Sequence, residues 1–271
     1  MRRAFGCLLT CLVLLTSSLF GRSVAQTGPS EQVQVDSPLR RVDPPTSEMT
    51  PEALEKRADE LRTQKYYLDA LDYYGAALAK NSNSALLWNK VGITELLLQH
   101  YKEAGKHFEK AIKLDRKYSD ALNNLGVIYY IEKKYSKAIK QYGKAIDVRE
   151  DMASYYSNLG AAYFSKKEFE KAITAYNRAL ELDPDVFERT SHAGVSAQMA
   201  KPEDRAHYDY VMAKLYAKMG AADRSLLYLR KAIEEGYKGI ENVYKDSEFG
   251  QLRNDPRFTE LMASKPPAIS E

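Results

Sequence analysis

The side chains that most often perform catalysis or bind metals are few in this sequence, and they are not grouped. No Asp, Glu or Cys completes a metal-ligand set with any pair of the four histidines, which are His100, His107, His192 and His207. The phosphate-binding, dinucleotide-binding, zinc-protease and nucleophile-elbow motifs are absent from the sequence. We therefore expect no catalytic residue, no metal site and no cofactor, and we predict that the protein is not an enzyme.

Positive charge is the other chemical feature, and it lies in two lysine rows with the spacing of one helix face. The rows are Lys106, Lys110 and Lys113, followed by Lys137, Lys140 and Lys144. Nearby acids such as Glu103, Glu109 and Asp147 are expected to balance these rows. The whole chain has 40 bases against 37 acids, so we interpret the rows as solvated outer faces and expect no nucleic-acid partner.

Residues 1–25 have the pattern of a secretory signal peptide. Two arginines follow Met1, an apolar run extends from Ala4 to Leu15, and small residues precede Ala25. The run is shorter than the roughly 20 apolar residues of a membrane span, although an uncleaved anchor is the alternative. We predict cleavage after Ala25, a secreted or periplasmic location and no membrane span afterwards. Both cysteines and three arginines would leave with this segment, so the mature chain would have no thiol and equal numbers of bases and acids.

A linker and then a helical region are expected after this segment. Residues 26–49 combine Pro, Ser, Gln and Thr at low hydrophobicity, which is typical of a disordered linker. Thr50-Pro51-Glu52 has the residue types of a helix start. No proline occurs from Glu52 to Asp183, which indicates helices throughout.

Within that region the sequence repeats every 34 residues. The aligned series are Ala70, Ala104, Ala138 and Ala172; Ala77, Ala111, Ala145 and Ala179; Tyr67, Tyr101, Tyr135 and Phe169; Tyr74, Phe108, Tyr142 and Tyr176; and Gly92, Gly126 and Gly160. Small residues let two helices approach closely while aromatic rings fill the adjoining space, and we expect Gly126 to face Ala138. Most of the 20 tyrosines are therefore interpreted as core residues.

This pattern resembles the tetratricopeptide repeat (TPR) family, most clearly from Asn124-Leu125-Gly126 through Tyr129 and Tyr135 to Ala145. The resemblance implies an all-α fold, an α-solenoid of about five stacked antiparallel helix pairs with a C-terminal helical cap. The expected boundaries are four repeats at 51–186, an insertion or loop at 187–205, a fifth repeat at 206–239, capping helices at 240–264 and a frayed tail at 265–271.

The resemblance also implies a concave groove lined by the first helix of each repeat. The expected partner-binding residues are Asn89, Ile93, Leu97, Asn123, Asn124, Val127, Tyr130, Ile131, Asn158 and Phe164. Asn124 and Asn158 match a position from which related repeats bond the backbone of a bound peptide, but their amides are equally suited to bonds within the protein.

The leading hypothesis is a non-catalytic scaffold that binds a peptide or helix of another protein in this groove. The alternative is an accessory subunit of a cell-envelope or secretion assembly that uses the convex face and the insertion. A third hypothesis, of a different class, is an enzyme whose site lies in the 187–205 insertion.

Overall fold

The computed structural model describes residues 42–187 and 202–263, and all regular structure in these ranges is helical. The predicted signal peptide, residues 26–41 of the predicted linker, most of the insertion and the predicted tail lie outside the described residues. No helix in the described ranges is both long and apolar enough to cross a membrane.

Ten helices form five consecutive pairs in the described ranges. The pairs are α1 Pro51–Thr63 with α2 Tyr67–Lys80, α3 Ala85–Leu97 with α4 Tyr101–Leu114, α5 Ser119–Ile131 with α6 Tyr135–Val148, α7 Ala153–Ser165 with α8 Phe169–Leu182, and α9 Pro202–Lys218 with α10 Ala222–Glu234. Each second helix also packs against the first helix of the following pair. The prediction of an all-α solenoid of stacked helix pairs is confirmed.

The turn inside each pair uses the same backbone conformation. Lys65, Gln99, Lys133 and Lys167 have φ between 59° and 65°, and each lies 34 residues after the one before. In the last pair Gly220 has φ of 74° at the corresponding turn. Left-handed backbone is strained for a residue with a Cβ atom but not for glycine. Four of these five turns therefore hold a strained residue, and the fifth holds a glycine.

A close approach between the two helices of a pair recurs in three repeats. A Cβ atom added to Gly126 would lie 2.5 Å from a ring carbon of Tyr142, and Gly92 and Gly160 face Phe108 and Tyr176 in the same way. We expected Gly126 to face Ala138, and the atoms nearest to a Cβ at Gly126 belong to the ring of Tyr142, four residues further along the same second helix. The aromatic ring and the glycine together set the distance between the two helices.

Residues 42–49 belong to the folded unit. The Val42 amide donates to Asp69 Oδ1 at 3.1 Å, and the Tyr73 hydroxyl donates to the Asp43 carbonyl oxygen at 3.1 Å. Val42 and Met49 also pack against the core of the first repeat. The linker prediction was therefore wrong for these residues, which cover the exposed end of that core.

The other end of the array is covered by short helices. Three 3-10 helices, Ile240–Tyr244, Ser247–Phe249 and Leu252–Asn254, precede α11 Pro256–Ala263. Val243, Phe249 and Phe258 from this segment share one core with α9 and α10. Helix α9 begins at Pro202, so residues 202–205 are helical and do not form the loop that we predicted there.

Candidate functional site

The predicted groove residues all lie on the first helices α3, α5 and α7, but their exposure differs. Six of them are buried, with 7% or less of the residue exposed: Asn89, Asn123, Val127, Tyr130, Asn158 and Phe164. Ile93, Leu97, Asn124 and Ile131 are partly exposed. Leu86 lies on α3 three residues before Asn89, which places it on the same side of the helix, and it is 46% exposed. We call Leu86, Ile93, Leu97, Asn124 and Ile131 the groove face.

The asparagines of these helices bond to one another. Asn124 Nδ2 donates to Asn89 Oδ1 at 3.1 Å, and Asn158 Nδ2 donates to Asn123 Oδ1 at 2.9 Å. Asn123 Nδ2 in turn donates to Asn124 Oδ1 at 3.3 Å. The chain of amides links α3 to α5 and α5 to α7. Asn158 is fully buried, so the structure favours the second of the two roles left open for it, a bond within the protein.

Tyrosine hydroxyls add further bonds between adjacent first helices. The Tyr155 hydroxyl on α7 donates to the carboxylate of Asp120 and lies 3.1 Å from Ser119 Oγ, both on α5. Burial and the hydrogen bond to Asp120 raise the pKa of Tyr155 well above its usual value. The hydroxyls of Tyr130 and Ser165 lie 3.0 Å apart across the same pair of helices. These bonds fix the spacing of the surface on which a partner would rest.

The first repeat meets α3 through a partly buried ion-pair group that the sequence analysis did not find. Lys90 Nζ lies 2.6 Å from Glu55 Oε1 and 2.5 Å from Asp59 Oδ2. The Tyr74 hydroxyl donates to the other oxygen of Asp59 at 2.5 Å. Burial by itself lowers the pKa of Lys90, but the hydrogen bonds to Asp59 and Glu55 outweigh it and raise that pKa. Lys90 is thereby bound to α1, and a partner carboxylate would have to compete with two acids for it.

Aromatic residues form a second group between the fourth and fifth repeats. The ring centroids of Phe164 and Phe169 are 5.1 Å apart, and those of Phe169 and His207, which lies on α9, are 4.2 Å apart. Tyr237 stacks on His207 at 5.6 Å. Burial lowers the pKa of His207, so this ring is held in its neutral form near neutral pH. Only Phe164 of this group was predicted from the sequence as a site residue, because the break after the fourth repeat hid the register that brings His207 beside it.

The remaining histidines of the described ranges have structural contacts. His100 Nδ1 lies 2.7 Å from Glu95 Oε2, and His107 stacks on Trp88 at 5.4 Å. Burial lowers the pKa of His107. Across residues 42–187 and 202–263, no group of three or more His, Cys, Asp or Glu side chains is placed to hold a metal ion.

The helix pairs stack one on another, and their first helices are joined by side-chain hydrogen bonds. A partly apolar face remains exposed on α3 and α5. This architecture is that of an α-solenoid built from repeats. Four family profiles assign it more narrowly. Profiles described as tetratricopeptide repeat match residues 55–119, 107–140 and 153–186, and one described as TPR repeat matches residues 128–167. The chain belongs to the tetratricopeptide repeat family, which confirms the resemblance.

Solved structures with similar folds include two of MamA and one of YrrB. A crystal structure of MamA is 23% identical over 70% of this chain and 97% of that chain, with a TM-score of 0.47. A MamA fragment from Desulfovibrio magneticus RS-1 is 18% identical over 72% of this chain and 97% of that chain, with a TM-score of 0.49. YrrB, described as a TPR protein with an unusual peptide-binding site, is 20% identical over 71% of this chain and 90% of that chain, with a TM-score of 0.46. None of the curated proteins matches the sequence significantly.

Proposed function

We propose that the protein is a non-catalytic scaffold that holds a peptide or helix of another protein on its groove face. The observation that carries this proposal is a set of apolar side chains on two adjacent first helices. Leu86, Ile93 and Leu97 lie on α3, Ile131 lies on α5, and the Asn124 to Asn89 bond holds the two helices side by side. Burying apolar area of this kind against a partner is the usual driving force for association.

The polar groups around the groove face favour an apolar partner. Asn89, Asn123 and Asn158 already bond other asparagines, so a partner that covers them leaves no amide unsatisfied. An amphipathic helix or an extended segment with apolar residues at regular spacing would fit such a surface. Asn124 is the partly exposed amide of the face and could add one directional bond.

A non-catalytic role agrees with how the ionisable groups near the groove are used. Asp120 accepts from Tyr155, and Lys90 is paired with Glu55 and Asp59. Each of these groups joins one first helix to the next, so it already has a structural role in the array. General acid-base catalysis needs a group that can exchange protons with a substrate. Groups already paired between helices are poorly suited to that task, which supports a binding role for the groove.

Charge placed on the groove face tests this proposal. In the full chain, Leu97→Glu combined with Ile131→Glu should weaken partner binding by about tenfold or more, because a carboxylate would be buried against apolar partner atoms. Leu227→Glu is the matched control, since Leu227 is 51% exposed on α10. Equal binding by the groove variant and the control would refute the proposal. Tyr130 and Phe164 are unsuited to this test, because both are buried and their loss would destabilise the fold.

The two other hypotheses place the function elsewhere. An accessory subunit of an envelope or secretion assembly would use the convex face and the insertion. An enzyme with its site at 187–205 would depend mostly on residues outside the described ranges, and no observation on the described residues favours it.

We also propose that residues 1–25 direct the protein to a secreted or periplasmic location. The support is the basic start, the short apolar run and the small residues before Ala25. Mass determination of the protein recovered from the exported fraction tests the proposal. A mature chain that begins at Gln26 is expected, and retention of residues 1–25 would contradict cleavage.

A further inference from the structure

The second helices of the second and third repeats carry an excess of positive charge. Helices α4 and α6 have seven lysines and three acids: Lys102, Lys106, Lys110, Lys113, Lys137, Lys140 and Lys144 against Glu103, Glu109 and Asp147. The corresponding helix α8 has two bases and two acids, and α2 has one base and two acids. All seven lysines are exposed. The charge is therefore localised to one part of the array.

Among the described residues, one of these seven lysines forms a direct ion pair. Lys106 lies 3.9 Å from Glu103, but in the described ranges neither Glu109 nor Asp147 forms an ion pair with any lysine of the two rows. Lys137 lies over the ring of Tyr129 at 5.6 Å, a contact that orients the ammonium group and leaves its charge. Of the acids expected to balance the rows, Glu103 pairs directly with a row lysine, and Glu109 and Asp147 line the cleft beside Lys113 and Lys144 without an ion pair to them in the described ranges.

A cleft is lined by one lysine from each of the two rows, Lys113 and Lys144. It has a volume of about 570 Å³ and lies between α4 and α6. Three of its lining residues are basic, two are acidic and three are apolar: Lys113, Arg116 and Lys144; Glu109 and Asp147; Ile112, Leu122 and Val148. Val148 is 40% exposed. The volume is in the range of sites that take a side chain or a small ligand.

We propose that this surface, which we call the basic face, binds an acidic segment of a protein partner, with an apolar side chain of that segment in the cleft. The basic face consists of the seven lysines, Arg116 and the cleft. The charge complementarity selects an acidic partner, and the apolar floor with Val148 selects a segment that mixes acids with apolar residues. Glu109 and Asp147 lie among the bases, so discrete acids of a peptide can avoid them, whereas a continuous anionic bilayer surface would face them as well.

The basic face is independent of the groove face, so the two proposals can fail separately. Its lysines lie on the second helices α4 and α6, whereas the groove face lies on α3 and α5, and the cleft residue Leu122 on α5 is buried and is not part of the groove face. A variant that removes charge from the cleft should leave binding at the groove face unchanged.

Binding of labelled model peptides tests the basic face. The probe is a fluorescein-labelled peptide of repeated Glu-Glu-Leu triplets, measured by fluorescence anisotropy with the full chain. Lys113→Glu combined with Lys144→Glu should weaken its binding about tenfold, because each reversal replaces an attraction with a repulsion. Lys218→Glu with Arg230→Glu is the matched control, with the same charge change at exposed positions of the fifth pair. Thermal unfolding by circular dichroism checks that both variants remain folded.

The expected pattern is specific to the cleft. The control variant should change the affinity by less than about twofold, and a Glu-Glu-Ser peptide should bind more weakly than the Glu-Glu-Leu peptide. Equal weakening by both variants would overturn the proposal in favour of bulk charge, and equal affinity of the two peptides would overturn the role of the cleft. Binding to phosphatidylserine-containing vesicles that depends on Lys113 and Lys144, without binding of the peptide, would assign the face to a membrane and overturn the protein partner.

Discussion

Gly126→Ala tests how closely the helices of a repeat approach each other. The added Cβ atom would lie 2.5 Å and 2.7 Å from two ring carbons of Tyr142, which is about 1 Å inside the usual carbon–carbon contact of about 3.5–4 Å. Tyr142 is fully buried, so its ring cannot move into solvent. Overpacking of this kind costs about 1–3 kcal/mol, and the better helix propensity of Ala returns about 1 kcal/mol. We expect a net loss of up to about 2 kcal/mol in the free energy of unfolding.

Gly143→Ala supplies the matched control for this prediction. Gly143 lies in α6, and a Cβ atom there would meet no atom within 4 Å. Only the propensity term remains, so this variant should be more stable than the parent by about 0.5–1 kcal/mol. Urea unfolding followed by far-UV circular dichroism should therefore place the two alanine variants on opposite sides of the parent.

The double variant Gly126→Ala with Tyr142→Leu identifies the obstacle. Tyr142→Leu alone leaves a cavity, but the smaller side chain makes room for the new methyl group, so the two effects should be less than additive. A Gly126→Ala variant as stable as Gly143→Ala would refute the close approach. Full additivity in the double variant would show that the ring of Tyr142 is not the obstacle.

Three further predictions concern buried groups and a turn. Tyr142→Phe should raise the free energy of unfolding by about 1 kcal/mol, because the buried hydroxyl has no hydrogen-bond partner among the described residues and the second repeat has Phe108 at this position. Urea unfolding measures this change, and a variant less stable than the parent would contradict the prediction. Burial raises the pKa of Asp209 from 3.8 to about 6, so the folded state binds a proton at this carboxyl more tightly than the unfolded state does. Proton binding therefore stabilises the fold at low pH, and this stabilisation is lost as the pH rises from about 4 to 6. Asp209→Asn should therefore be more stable than the parent by about 1–2 kcal/mol at pH 8, with the difference vanishing near pH 4, and a difference independent of pH would refute this. Lys133→Gly should raise the thermal midpoint, because the residue has φ of 59° where the fifth pair uses Gly220, and an unchanged or lower midpoint would show that this backbone is not strained.

The repeat architecture was predictable because it depends on spacing. The 34-residue series fixes which residues share a helix face, and the fold followed from that. The ends of the array were less predictable. Residues 42–49 have the composition of a linker, but composition does not show that Asp69 on α2 would bind the Val42 amide. The start of α9 at Pro202 was missed because the register breaks before it.

The candidate site was predictable as a face and not as a set of contacts. Spacing placed Asn123, Asn124 and Asn158 on the first helices correctly. It could not show that Asn158 and Asn123 bond each other, because that bond joins residues 35 positions apart and depends on how two repeats are rotated. The same reason hid the pairing of Lys90 with Glu55. Exposure decided which members of the face a partner can reach.

Site-specific photocrosslinking in cells tests the groove proposal most directly. A photoreactive amino acid at Leu97, on the groove face, is compared with one at Leu227, which is exposed on α10. One protein should be captured from Leu97 and not from Leu227, and Ile131→Glu should suppress this capture. Capture of the same protein in equal yield from both positions, or capture from Leu97 that Ile131→Glu leaves unchanged, would contradict the groove proposal.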